Sequence, residues 1–267
     1  HTTWQDARDW YRRWYVPNNA YVVVVGDVDH QAVFKLAEQT YGRHKAQPLP
    51  VRKPQNEPAQ DGSRRVTVKA PAQLPYLLMA WKAPKLVDLD KDRDPYALEV
   101  LAALLDGNDA ARFPKRLMRG EKIAQSAGAG YDATLRGETQ FMLAGQPAAG
   151  KTVAELEAAL RAEIKRIQNE GVTEEELKRV KTQTIAGQVY KRDSLMAQAM
   201  EIGHAEASGL HWRDIDKLLE KIRGVTAEEV QAVAKKYFGD DTLTVAVLDP
   251  QPVDPAAKKK PAVATRH

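Results

Sequence analysis

The chain has 267 residues, no cysteine and a formal net charge of +4. Its length accommodates one large domain or two unequal ones. The lack of cysteine excludes a disulfide framework, a cysteine nucleophile and a thiolate metal site, and it is compatible with an oxidising compartment such as the periplasm. No stretch approaches the roughly 20 apolar residues that span a bilayer.

The excess positive charge lies at the end of the sequence. Residues 251–267 contain the run Lys258–Lys260 and Arg266 but only one acidic residue, Asp254. The rest of the chain is close to neutral and shows no basic stripe of the kind that neutralises phosphates. The Pro/Ala/Lys composition therefore predicts a disordered tail and no nucleic-acid partner.

Two distant segments of the sequence resemble each other, one beginning at Thr3 and the other at Thr226. Each opens with a threonine followed three positions later by an acidic residue, which is the pattern of a helix capping box. Each then passes through a basic pair, an aromatic pair and a polar turn into an apolar run, over residues 21–25 or residues 244–248. Such β-branched runs predict strands buried on both faces. The long spacing is that of whole domains and not of a solenoid.

The repeat divides the chain into four predicted segments. Residues 1–46 would be the last helix, strand and helix of a first copy, and residues 47–63 a proline-rich linker. Residues 64–250 would be the second copy, followed by the basic tail at 251–267. Because the first copy would be incomplete, we expect the sequence to be part of a longer chain.

The second copy shows strand patterns first and helical patterns later. In chain order these are strands over 65–70 and 76–82, helices from 94 and over 111–119, strands over 122–131 and 139–144, helices from 152 and 173, and a last strand over 244–248. This order predicts an α+β domain whose mixed, largely antiparallel sheet is packed by helices.

Residues 145–152 match the phosphate-binding pattern G-x-x-x-x-G-K-T. A true phosphate loop presents backbone N–H groups at a helix N-terminus and is followed by several parallel strands. Here residues 153–237 are almost wholly helical in pattern. The sequence therefore favours an ordinary strand-to-helix turn in which Thr152 caps the helix, and a nucleotide-binding protein is the least favoured alternative.

The six histidines form no recognisable metal motif. Neither H-E-x-x-H nor H-x-x-E-H occurs. His204 and His211 flank Glu206, but Gly209 interrupts the helix that would bring them together. Paired carboxylates and a Ser–His constellation are also missing. The residues alone predict no catalytic group, metal or cofactor in this chain.

Three motifs resemble those of pitrilysin/insulinase-type zinc peptidases. Residues 14–29 read WYVPNNAYVVVVGDVD, similar to the family segment Y-x-P-N-N … V-V-V-G-D-V-D. Residues 171–177 resemble the family's G-V-T-x-E-E-L helix start, and residues 225–238 resemble its closing helix. The resemblance implies tandem pitrilysin-like domains, with zinc held by H-x-x-E-H and a downstream glutamate in the N-terminal copy. This chain would then be the non-catalytic C-terminal domain, which forms part of the substrate chamber.

The family often carries an arginine and, seven residues later, a tyrosine that polarise the substrate carbonyl. Aligning residues 111–113 and Leu117 with that pattern places Met118 and Gln125 at the two positions. Neither side chain supplies a cation or a phenol. Arg119 and Tyr131 are out of register, so the resemblance gives them no role.

In two-chain members of the family, the zinc-bearing subunit lacks this pair and its partner supplies it. The resemblance thus implies a parent with zinc in an upstream domain, a second pitrilysin-like subunit or a homodimer as partner, and a peptide substrate. Family habit and the lack of cysteine predict a periplasmic location. The main alternative is a structural subunit of the same fold with no protease activity.

Overall fold

A computed structural model describes residues 2–53 and 57–252. The chain forms two compact units. The first contains the described residues up to Pro58 together with Thr184–Lys217, and the second contains Ala59–Gln183 together with the residues from Leu218 onward. Nearly all of the predicted basic tail lies outside the described residues.

The first unit is helical. Its elements are α1 (Trp4–Trp14), a 3-10 turn (Pro17–Asn19), α2 (His30–Tyr41), the end of α5 (Glu174–Lys191), α6 (Leu195–Ser208), a second 3-10 turn (Trp212–Asp214) and the start of α7 (Ile215–Arg223). The predicted capping box begins α1, because Thr3 N donates to Asp6 Oδ2 at 2.8 Å and Thr3 Oγ1 accepts from Asp6 N at 3.3 Å. None of the α1 side chains is buried.

The strand predicted over residues 21–25 does not form. The segment has no strand partner among the described residues, and Val22 and Val24 are 64% and 52% exposed. A strand exists only where a neighbouring strand satisfies its backbone N–H and C=O groups. The apolar composition of the run was therefore not sufficient to predict a strand here.

The second unit is built on a five-stranded sheet. The strands are β1 (Arg64–Pro71), β2 (Tyr76–Ala83), β3 (Ala124–Gly130), β4 (Thr139–Pro147) and β5 (Leu243–Gln251), in the order β1-β5-β2-β4-β3. The β1–β5 pair is parallel, and the other three pairs are antiparallel. This architecture confirms the predicted α+β class and the mixed, largely antiparallel sheet.

Helices cover one face of this sheet. The helical elements are α3 (Asp94–Asp106), a π-helix (Phe113–Gly120), α4 (Val153–Glu170), the start of α5, the end of α7, α8 (Ala227–Tyr237) and a 3-10 turn (Asp240–Thr242). Alternate strand residues point into the core, among them Leu77, Met79 and Phe141, which are fully buried. The Phe141 and Phe238 rings meet edge to face, with centroids 4.8 Å apart. The core thus lies between the sheet and α3, α4 and α8.

The opposite face of the sheet is far less covered. Val66 and Val68 on β1 are 50% and 48% exposed, and Met142 on β4 is also exposed. The burial pattern of β4 alternates strictly along its first residues. Such alternation is typical of a strand with one packed face and one open face.

Two carboxylates of α3 accept hydrogen bonds, one from β3 and the other from the loop that follows it. Asp106 accepts a hydrogen bond from the Ala129 N–H, and Glu99 Oε1 accepts from Ala133 N at 3.1 Å. Side chains that occupy outward N–H groups protect an edge strand from pairing with another chain. Burial, assisted by the charge of Asp132, raises the pKa of Glu99 to about 7, although the Ala133 N–H opposes this shift.

We predict that Glu99→Gln stabilises the protein at pH 8 but not at pH 5. The folded-state pKa of Glu99 lies above its unfolded value, so the folded state loses relative stability as the pH rises from about 4.5 through 7. A glutamine keeps the acceptor for Ala133 and never ionises. The expected gain at pH 8 is about 1–3 kcal/mol, measured by urea unfolding across the pH range.

The exposed Glu170→Gln at the end of α4 serves as the control and should follow the wild-type pH profile. An equal gain for Glu99→Gln at pH 5 and pH 8 would show that ionisation of Glu99 is not the cause.

Candidate functional site

The backbone departs from regular geometry repeatedly between residues 113 and 125. The segment begins with the π-helix, in which the Glu121 N–H donates to Arg116 O, five residues earlier, at 2.7 Å. Lys122 follows with φ = +52°, the one positive φ of a non-glycine residue in the described part of the chain. The ladder between β3 and β4 then shifts register between Ala124 and Ser126. π-Helices, left-handed residues and bulges recur at functional sites, because they aim side chains that regular elements cannot aim.

A buried ion pair anchors the start of this segment. The Arg112 side chain is only 8% exposed, and it donates to both carboxylate oxygens of Glu176 at 3.0 and 2.9 Å and to Gly171 O at 3.3 Å. Burial raises the pKa of Glu176, but hydrogen bonds from Arg112 and Thr173 outweigh burial, so the pKa lies below its usual value. The pair fastens the π-helix to the first turn of α5.

A second buried carboxylate binds the same helix from another side. Glu163 of α4 is buried and pairs with Arg166 one turn later. Its Oε1 also lies 3.6 Å from Arg116 Nη1 in the π-helix. The π-helix is therefore held by α4 and α5 together, through Arg116 and Arg112. This bracing fixes the backbone on which Met118 lies.

Both residues predicted from the family pattern lie within the irregular segment. Met118 is in the π-helix, half-buried and packed against the core. Gln125 stands at the register shift of β3, and its side chain is exposed. A bulged residue has no direct partner in the ladder, so Gln125 is presented outward by the backbone. The two side chains are an apolar thioether and a neutral amide.

Arg119 and Tyr131, the arginine and tyrosine that are out of register with the family pattern, both donate hydrogen bonds to backbone carbonyl groups. A guanidinium N–H of Arg119 donates to Asp109 O. The Tyr131 hydroxyl donates to Pro84 O, and burial raises the pKa of that phenol.

Three backbone N–H groups of the turn that matches a phosphate loop have partners within the chain. Ala148 N donates to Ile123 O at 2.8 Å, and Lys151 N donates to Ala148 O at 2.9 Å. Thr152 N donates to Glu155 Oε2 at 2.8 Å, within a capping box. The strand before the turn, β4, is antiparallel to both of its neighbours. This is the helix-capping turn predicted from the sequence.

The histidines that the structure describes are placed apart from any metal centre among residues 2–53 and 57–252. In the 3-10 turn after α6, His211 Nδ1 accepts from Arg213 N at 3.1 Å, which is a capping role. Within residues 2–53 and 57–252, no cluster of three or more histidine or carboxylate side chains is able to hold a metal ion. No helix in the described ranges is both long and apolar enough to cross a membrane.

Comparison with known proteins defines the class. Residues 2–184 match the family model described as the peptidase M16 inactive domain. A curated relative, the zinc protease PqqE of Helicobacter pylori, is 26% identical over 257 residues, which covers 93% of this chain and 55% of that protein. The chain belongs to the peptidase M16 family, through its inactive domain, and it spans about half the length of the curated relatives it matches. The pitrilysin/insulinase resemblance is thereby confirmed.

Solved structures show the same fold. A protease from Helicobacter pylori superimposes with a TM-score of 0.85 at 23% identity, covering 94% of this chain and 60% of that one. The periplasmic protease PqqL from Escherichia coli gives a TM-score of 0.75 at 17% identity, covering 96% of this chain and 30% of that one.

We predict that Arg112→Ala destabilises the second unit by about 3–5 kcal/mol, because it leaves the Glu176 carboxylate partly buried without its cation. The double variant Arg112→Met/Glu176→Leu should recover most of this loss, apart from the contact between Glu176 and the N–H of Thr173. Urea unfolding measures both effects.

The matched control is Arg192→Ala, which breaks an exposed pair with Asp216. Its cost should stay below about 1 kcal/mol. Equal losses for Arg112→Ala and Arg192→Ala would mean that the buried pair does not anchor the π-helix.

Proposed function

We propose that this chain is the non-catalytic half of a bacterial, periplasmic zinc endopeptidase and forms one wall of its peptide-holding chamber. Family membership is the observation that carries the proposal, because the matched domain is the one named inactive. The zinc site would lie in a homologous copy upstream of this chain. A periplasmic location accords with the lack of cysteine and with the description of the similar Escherichia coli protease.

The aromatic surface of the first unit supports an upstream copy. By the internal repeat, Trp10 and Tyr15 correspond to Val233 and Phe238, which are buried in the core of the second unit. Trp10 and Tyr15 are instead exposed. Contiguous exposed apolar patches mark interaction surfaces. The upstream part of the first copy would cover them and would supply strands that pair with residues 21–25.

The irregular segment 113–125 is the part of the wall that would face substrate. Its braced backbone would hold Met118 and Gln125 against a peptide, with the thioether supplying apolar contact and the amide supplying one donor and one acceptor. Neither group stabilises an oxyanion as a cation or phenol would. The wall would therefore orient the peptide, and the zinc domain would supply the catalytic groups.

The missing cation and phenol favour a second, different pitrilysin-like subunit as partner. A second copy of this chain would repeat Met118 and Gln125 and would leave the same gap. A partner that carries the arginine and tyrosine would complete the site, in the arrangement that the family resemblance implies.

The proposal is tested by comparing this chain with its full-length parent in peptide hydrolysis. The parent should contain H-x-x-E-H upstream, bind one zinc ion, and lose activity when a chelator removes the metal. This chain alone should hydrolyse no peptide. A parent without the motif and without bound zinc would identify a structural subunit instead.

The proposed need for a partner subunit can be tested separately. In the full-length parent without partner, Met118→Arg combined with Gln125→Tyr should raise peptide hydrolysis at least about tenfold, because oxyanion-type donors are worth about 10²–10³ in rate. Met118→Leu with Gln125→Glu is the matched control and should give no gain. A parent that already hydrolyses peptides at full rate as a strict monomer would refute the need for a partner.

A further inference from the structure

The irregular segment 113–125 is strongly basic. It contains Lys115, Arg116, Arg119 and Lys122 but only one acidic residue, Glu121. Apart from this segment and the tail at 251–267, the chain carries no excess of positive charge. A run of like charges is often only a solvated surface, so its meaning depends on whether the charges have partners within the protein.

Several basic side chains of the second unit do have a carboxylate partner. Arg93 donates to both carboxylate oxygens of Glu229, at 2.8 and 2.9 Å. Lys236 Nζ donates to Asp94 Oδ2 at 2.7 Å. Together with the buried Arg112 pair, these contacts hold helices to one another, so their charges are neutralised within the fold.

Three cations of the basic segment have no carboxylate partner in the part of the chain that the structure describes. Lys115 and Lys122 are exposed and form no ion pair there. Arg119 is also exposed, and it donates to a carbonyl oxygen, Asp109 O, which leaves its charge without a counter-ion. The neighbouring Glu121 forms no ion pair with any of the three. Their charges therefore face solvent.

The backbone keeps these cations on one short stretch of surface. Gly120 follows the helix so closely that a Cβ on it would lie 3.2 Å from Lys115 O. Lys122 then adopts φ = +52°, and Ile123 N donates to Leu117 O at 2.9 Å. The chain thus folds back along the π-helix, which brings residue 122 beside the helix that carries the other two cations.

From this arrangement we infer that Lys115, Arg119 and Lys122 form a recognition surface for the acidic side chains of a peptide. The inference rests on the proposed function, in which the segment that also carries Met118 and Gln125 faces substrate. Lysine and arginine both attract carboxylates, and the guanidinium fork can bind one through two N–H groups. The three cations give the wall a preference for peptides rich in aspartate and glutamate.

The anchored backbone favours such recognition. The pairs of Arg112 with Glu176 and of Arg116 with Glu163 fix the π-helix before any peptide arrives, so binding does not have to order it. The three cations are nevertheless exposed to water. Each one contributes modestly, and the attraction weakens as salt is added. A preference of several-fold is therefore expected, and not an exclusive specificity.

Peptide binding to this chain tests the inference without any peptidase activity. The probes are two fluorescein-labelled ten-residue peptides of alanine and serine, one with four glutamates and the other with four glutamines at the same places. By fluorescence anisotropy, the glutamate peptide should bind about fivefold more tightly at about 50 mM salt. The preference should fall below about twofold at about 500 mM salt, because the ions screen exposed charges.

A charge-matched pair of variants locates the effect. Lys115→Gln combined with Lys122→Gln should reduce the preference for the glutamate peptide to about twofold or less at low salt. Arg64→Gln combined with Lys69→Gln removes the same charge from β1, at the opposite edge of the sheet from β3, and should leave the preference unchanged.

Equal affinities for the two peptides, or equal losses in the two double variants, would overturn the inference. So would tighter binding of a single-stranded oligonucleotide of the same charge, since that would identify a nucleic-acid surface. These outcomes are separate from those of the proposed function. A zinc-containing, active parent whose inactive domain shows no preference would refute only the recognition surface, and a preference in this chain beside an inactive, zinc-free parent would refute only the peptidase.

Discussion

The backbone's need for hydrogen-bond partners governs both units of this chain. Residues 244–248 become a strand because β1 and β2 stand on either side of them and receive their N–H and C=O groups. Residues 21–25 have a more strongly β-branched composition, yet they pair with no strand in the part of the chain that the structure describes. The same kind of sequence therefore forms a central strand in the second unit and no strand in the first. The difference lies in the neighbours and not in local propensity.

Burial follows from that pairing. Once β5 is fixed between β1 and β2, Val245 faces the helices, and α8 can pack Val233 and Phe238 onto the sheet. Among the described residues of the first unit no sheet receives the equivalent side chains, so the aromatic residues of α1 stay in solvent. Exposed tryptophans and tyrosines on an amphipathic helix are costly to leave in water. They indicate a partner more strongly than any charged patch of this chain does.

Much of the second unit could be predicted from sequence because its signals are local. Capping boxes at Thr152 and Thr226 begin helices where expected, and the strand patterns at residues 76–82 and 139–144 are confirmed as β2 and β4. The π-helix could not be foreseen, since its wider hydrogen bonds depend on how Arg112 and Arg116 are held by distant carboxylates. The same holds for the bulge at Gln125, which depends on the register of β4. Long-range pairing leaves little trace in a single sequence.

These unpredicted features carry an energetic cost. A π-helix costs backbone hydrogen-bond quality, a left-handed Lys122 adds strain, and a buried Arg112–Glu176 pair is a poor source of stability compared with apolar packing. Their common effect is to fix one stretch of backbone in an unusual shape. In the proposed function, the neutral side chains of Met118 and Gln125 on that stretch would contact a peptide by shape and by an amide hydrogen bond, without polarising a scissile carbonyl. Such a wall would contribute to the reaction rate through orientation, and the proposed zinc-bearing domain would supply the electrophile and the base.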